Sequence, residues 1–202
     1  AAGLSVKAES ISKAAKEGLA KNCIFLVVDG MGRGTLSIAN DYSKKHFGRE
    51  LNWIQLLKNN HVVTSLQNTA SANSLVTDSA AAGSAWGSGQ RIENGRINVT
   101  ANGKHLNPLF SRAKKQGKAI GLVTTTRITH ATPASFVSSV EDRDDEASIA
   151  KQYLEQEIDV LIGGGARYFN DDNDALLKAY LKAGYTHTDT SDKLLKDGHA
   201  SK

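Results

Sequence analysis

Thr77, Asp78 and Ser79 stand together in "LVTDSAAAGSAWGSG", where a hydroxyl beside a carboxylate is followed by little but alanine, glycine and serine. Thr77 and Asp78 are both helix-capping residue types, which places Ser79 in the first turn. A hydroxyl there faces backbone N–H groups without helical partners and the positive end of the helix dipole, a good seat for a phosphate or sulfate. The small residues that follow let such a helix pack closely against a neighbour. A serine nucleophile also needs an activating base or metal, and no G-x-S-x-G elbow surrounds this one. An ordinary cap before a buried alanine helix fits the same spacing.

Three further groups could do chemistry. Asp29 in "FLVVDGMGRG" ends an apolar run, where a carboxylate is a rigid oxygen donor for zinc or magnesium. Gly30, Gly32 and Gly34 after it miss the dinucleotide fingerprint, and no Walker lysine follows. Asp29 could equally cap a turn. His130 and Thr132 bracket Ala131 in "TTTRITHATPASF", as ligands or as ordinary loop residues. Arg143 sits among acids in "SSVEDRDDE", and an arginine poised by carboxylates suits a bidentate grip on phosphate.

The elements that must position these groups read as alternating strands and helices. "CIFLVVD" (23–29), "VVTSL" (62–66), "AIGLV" (119–123) and "DVLIGGG" (159–165) are short apolar runs of the kind buried on both faces of a parallel sheet. Helices are expected over 6–20, over 107–117 with Asn107 as cap and Gly117 as stop, over 144–157, and over 172–184. Asn94-Gly95 in "RIENGRINV" predicts a two-residue hairpin. The expected class is α/β, a mostly parallel central sheet flanked by helices. Ligands in such sheets sit beyond the carboxyl ends of the strands, near Asp29 and the 124–132 stretch.

Composition sets outer bounds. At 202 residues and 40% hydrophobic, the chain can bury a core. A net charge of +4 with scattered lysines gives no nucleic-acid groove, and no apolar run reaches membrane-spanning length. One cysteine, Cys23, excludes a disulfide within the chain and thiolate metal clusters, so oxygen and nitrogen donors must hold any metal.

Taken together, "VVDGMG", "VTDSAAAGSAWGSG", "THATPASF", "EDRDDE" and "LIGGGARYF" closely resemble the alkaline phosphatase family of metal-dependent phosphomonoesterases, over about Asn22 to Phe169. The resemblance implies an alkaline-phosphatase-like fold, with 1–202 the N-terminal portion of one catalytic domain, incomplete as it stands. It implies Ser79 as the phosphorylated nucleophile and Asp29 as a bridge between one of two zinc ions and a magnesium. Thr132 would bind the magnesium with His130 close by. Arg143 would clamp the phosphate, oriented by Asp78. Double in-line displacement on small phosphate monoesters is implied, in a periplasmic or secreted homodimer. No nucleic-acid or membrane partner is expected.

Family members take further acids and histidines as metal ligands from a later part of the chain. After Phe169 the only histidines are His187 and His199, and neither sits in those patterns. The chain alone is therefore expected to be nearly inactive, with an exposed apolar sheet face. A non-catalytic phosphate- or nucleotide-binding module, and a related sulfatase or phosphodiesterase, are the other readings.

Overall fold

The computed structural model describes residues 21–59, 62–170 and 175–197. The expected 6–20 helix, the start of the 172–184 helix and His199 lie outside the described residues. The chain forms two units, Ala1–Asn68 and Thr69–Lys202.

In the first unit, α1 (Arg33–Phe47) stops at Gly48, whose φ of 65° lets its N–H return to the Lys44 carbonyl. Basic residues in the last turn suit the negative end of the helix dipole. The link to α2 (Asn52–Leu57) is held by Ser43 Oγ donating to the Arg49 carbonyl (2.8 Å), and by Leu51 N–H donating to Asn40 Oδ1 (3.1 Å).

The strands expected at 23–29 and 62–66 are not formed. Both segments belong to no β-ladder, with Ile24 91% and Leu66 81% exposed. A continuous apolar run reports a demand for burial, whereas a strand exists only where a ladder is made.

The second unit carries the α/β core. β1 (Gly121–Arg127) and β2 (Val160–Gly164) pair in parallel, with Leu122 opposite Leu161 and Val123 opposite Ile162. Between them the chain runs through α5 (Ala131–Ala134) and α6 (Glu146–Glu155). α3 (Ser79–Ser88) and α4 (Leu109–Lys114) precede the pair; a 3-10 turn (Ala166–Tyr168), α7 (Ala175–Lys182) and α8 (Ser191–Asp197) follow it. The apolar runs at 119–123 and 159–165 thus become strands, the first continuing to Arg127. Asp159 Oδ2 accepts from Ile120 N–H (2.8 Å) and Lys114 Nζ (3.0 Å), tying the end of α4 to the start of the sheet.

Ile97, Val99, Ile120, Leu122, Ile149, Tyr153 and Ile158 are buried and form much of the core. The other face of the strands is open. Val123 is 73% exposed, with Val160 and Ile162 also exposed, in line with the expected open apolar face.

Two local expectations need correction. The N-cap of α4 is Pro108, not Asn107: proline supplies the extended backbone (φ −65°, ψ 155°) that ends the coil, and α4 is only six residues long. The Asn94-Gly95 turn exists without its hairpin. Only Gly95 takes a positive φ (83°), whereas the tight hairpin turn needs one at both central residues. Ile97 bridges instead to Val140, and Val99 to His105, both antiparallel.

Candidate active site

Asp78 caps α3: its Oδ1 accepts from Ala81 N–H at 2.8 Å, and Ser79 is the first residue of the helix. The small residues serve the close packing expected of them, since α3 lies against α5 and the residue that ends it, Ser135. A Cβ on Gly87 would sit 1.9 Å from the Ser135 carbonyl oxygen, and one on Gly83 2.5 Å from Ser135 Oγ. Asn98 locks the seam. Its N–H donates to Ser84 Oγ (2.9 Å), and its Nδ2 donates to the carbonyls of Ser135 (2.6 Å) and Ser138 (2.7 Å). The middle of α3 and the end of α5 are therefore tied together through Asn98.

His130 stands at the N-cap position of α5 without a side-chain cap bond, and Thr132, half-buried, is the second residue of that helix. Arg143 joins the two helix starts. Its Nη1 donates to Asp78 Oδ2 at 3.1 Å, and its Nη2 lies 3.2 Å from His130 Nε2, which accepts in the tautomer carrying the ring proton on Nδ1. Its side chain is 22% exposed and that of Asp78 25%, so the pair sits at a surface with limited access to water. The structure thus brings Asp78, Ser79, His130, Thr132 and Arg143 into one neighbourhood. The carboxylate that orients Arg143 is Asp78 rather than its sequence neighbours, three of which have other partners: Asp142 accepts from Asp144 N–H, Asp145 caps α6, and Glu141 faces Arg96.

Asp29 belongs to the first unit. It is exposed, in a turn where Met31 N–H donates to the Val28 carbonyl (3.3 Å) and Gly30 takes a φ of 70°. Among the described residues no three His, Cys, Asp or Glu side chains gather as a metal site. His130, Thr132 and Ser79 offer one imidazole and two hydroxyls. Those donor types suit zinc or magnesium, but a catalytic zinc takes three protein ligands, usually including more than one nitrogen or carboxylate. The described donors alone do not fit the expected metal set.

Sequence reasoning missed Glu146. It reads as one more solvated acid at a helix start, yet it is 3% exposed. Arg127 grips it through Nε (2.8 and 3.0 Å) and Nη2 (2.7 Å), and the hydroxyls of Thr129 (2.5 Å) and Tyr168 (3.2 Å) also donate to it. The clamp joins the segment just before His130 to the helix that begins just after Arg143. Burial pushes the Glu146 carboxyl up, but the Arg127 and Thr129 hydrogen bonds and the Arg127 charge outweigh it and hold it below its usual range. A depressed pKa adds stability that is complete above the unfolded value near 4.5 and is lost as pH falls through the lower folded value. Glu146→Ala should cost about 2 kcal/mol at neutral pH, chiefly from the stranded Thr129 hydroxyl and the lost charged hydrogen bonds. Denaturant melts below and above pH 4.5 check this, and the difference between variant and parent should shrink on the acid side.

Residues 20–197 match the family described as alkaline phosphatase. The chain belongs to the alkaline phosphatase family. It is 37% identical over 185 residues to alkaline phosphatase 4 of Bacillus subtilis, an alignment covering 88% of this chain and 40% of that one. It superposes on the crystal structure of Thermus thermophilus alkaline phosphatase with a TM-score of 0.80 and 42% identity, over 84% of this chain and 36% of the other. A His-to-Glu variant of TAB5 alkaline phosphatase, solved with Mg bound in the M3 site, matches at 27% identity and a TM-score of 0.62, over 78% of this chain and 46% of that one. The chain thus spans about two fifths of the length of these relatives. The fold is the alkaline-phosphatase-like α/β arrangement. No helix among the described residues is long and apolar enough to cross a membrane.

Proposed function

We propose that this chain carries the nucleophile and the phosphate clamp of an enzyme that hydrolyses phosphate monoesters. The observation that carries the reading is the guanidinium of Arg143, fixed by Asp78 Oδ2 beside Ser79 at the start of α3. Arg143 and the positive end of α3 hold the non-bridging oxygens of a phosphate dianion, and they favour the charge that builds there during transfer. The Ser79 hydroxyl gives up its proton to solvent and its oxygen bonds to phosphorus as the phosphorus–ester oxygen bond breaks; the departing oxygen takes a proton from solvent to become the alcohol. Water then displaces the serine oxygen, which regains a proton, and leaves inorganic phosphate.

The same reading includes two zinc ions and one magnesium, with Asp29, Ser79, Thr132 and His130 among the ligands and other ligands supplied by polypeptide beyond these 202 residues. Bound divalent metal supplies Lewis acidity toward hydroxyl and phosphoryl oxygens. Family membership supports this, as does the Mg-bound TAB5 variant. The N-terminal place of 1–202 in one catalytic domain, export and a homodimer rest on the same likeness.

The test sets a phosphate monoester, a diester and a sulfate ester side by side, with the protein as its gene encodes it, before and after chelation. Monoester turnover should dominate, vanish with chelator and return with zinc and magnesium. Phosphate binding that survives chelation without turnover would instead mark a binding module. Arg143→Ala should weaken inhibition by inorganic phosphate by about ten- to a hundredfold, the range for lost charge-assisted hydrogen bonds. Unchanged inhibition would remove Arg143 from the clamp.

A further inference from the structure

The Asn94-Gly95 turn makes no hairpin, yet its hydrogen bonds converge on Asp78. Asn94 Oδ1 accepts from Asp78 N–H at 3.0 Å, while Asn94 Nδ2 donates to the Val76 carbonyl at 3.0 Å. The Asn94 side chain thus straddles the segment entering α3, and Asn73 Oδ1 holds its own backbone N–H (3.0 Å). One residue on, Gly95 N–H donates to Asp78 Oδ2 at 2.8 Å, the oxygen that also receives Arg143 Nη1. The Gly95 carbonyl accepts from the backbone N–H of Arg143 at 2.7 Å.

A carboxylate that must orient a guanidinium has to keep one rotamer. The Asp78 carboxylate accepts three hydrogen bonds, from Ala81 N–H, Gly95 N–H and Arg143 Nη1, and the Asp78 backbone N–H is held by Asn94. The turn therefore fixes both ends of the Asp78–Arg143 pair, the carboxylate through one face of Gly95 and the arginine backbone through the other. The positive φ of Gly95, 83°, turns its N–H and carbonyl toward these two partners.

We infer that Asn94 is a positioning residue, acting through Asp78 to hold Arg143 in the orientation that grips phosphate. The inference rests on the phosphomonoesterase reading above. Asn94 touches neither Ser79 nor Arg143 through any of these bonds, so its effect should fall on phosphate binding more than on the transfer step.

Asn94→Ala should raise KM for a monoester and the Ki for inorganic phosphate together, each about tenfold, while kcat changes less than about threefold. Calorimetric titration with inorganic phosphate gives the same shift without turnover. In an Asp78→Ala background the Asn94 substitution should add nothing further, because positioning through Asp78 has already been lost. Should Asn94→Ala not fold, Asn94→Ser, which keeps a turn-compatible residue but reaches neither Asp78 N–H nor the Val76 carbonyl, enters the same cycle. Phosphate affinity equal to the parent in a folded variant overturns the inference, and so does an effect that multiplies independently with Asp78→Ala. Ser79→Ala assayed alongside separates the two claims. If it retains turnover, the catalytic reading fails; if it is inactive while Asn94 variants bind phosphate normally, only the positioning role fails.

Discussion

If Ser79 is the nucleophile proposed above, Ser79→Ala should lower kcat/KM for a phosphate monoester by roughly four orders of magnitude or more and abolish the trapped phosphoenzyme, the scale expected when a covalent nucleophile is deleted. The fold should survive this change. The cap of α3 is made by Asp78 Oδ1 to Ala81 N–H and not by the Ser79 side chain, and alanine is readily accommodated in a helix. Melting temperature should therefore match the parent within a degree or two, and circular dichroism should be superimposable. Binding of inorganic phosphate should persist, because Arg143 and its partner Asp78 are untouched. Quench-trapped labelled phosphate followed by peptide mapping reads the result directly. Label recovered on a serine other than Ser79 would show that the nucleophile has been assigned wrongly.

Among the described glycines, Gly87 is expected to cost the most stability when replaced by alanine. The new Cβ would sit 1.9 Å from the carbonyl oxygen of Ser135 and 2.8 Å from its carbonyl carbon. No side-chain rotation relieves a clash with main chain, so α3 and the segment after α5 must separate. The cost should be about 3 kcal/mol, at the upper end for overpacking a close seam, because the Asn98 bonds to the Ser135 and Ser138 carbonyls are strained by the same movement. Gly83→Ala makes the control. Its obstacles are Ser135 Oγ at 2.5 Å and Ser135 Cβ at 2.9 Å, side-chain rather than main-chain atoms, and removing the hydroxyl with Ser135→Ala should recover part of the loss. The same second substitution should not rescue Gly87→Ala. Urea unfolding midpoints for the two glycine variants, with and without Ser135→Ala, decide the matter. Equal midpoints for the two glycine variants would show that the seam yields more readily than its geometry implies.

What the sequence makes legible is local. Asp78 as a cap, Ser79 in the first turn, and the positive-φ glycines at 117 and 184 just past their helices depend on neighbours a few residues away. The partner of Arg143 lies 65 residues upstream, and only the family resemblance names it; the acids next to it in sequence suggest the wrong orientation. Glu146 is hidden for a related reason. A run of acids before a helix looks solvated, and nothing local says that one of them meets Arg127, Thr129 and Tyr168. The runs at 23–29 and 62–66 mislead differently, since their apolar character is plain but a ladder cannot be inferred from one segment alone. Asn94-Gly95 is a turn, as its composition predicts, but it joins no two strands; it faces Asp78 instead, a partner that no hairpin rule could supply.

The Asp78 carboxylate has two employments, one oxygen starting α3 and the other steering Arg143. Mutational drift at this position is therefore constrained twice over. Asparagine could keep the cap but would weaken the arginine's anchor, and glutamate could keep the charge but would misplace the helix start. Helix start and ligand grip are therefore not separately adjustable at residue 78, because both pass through one carboxylate.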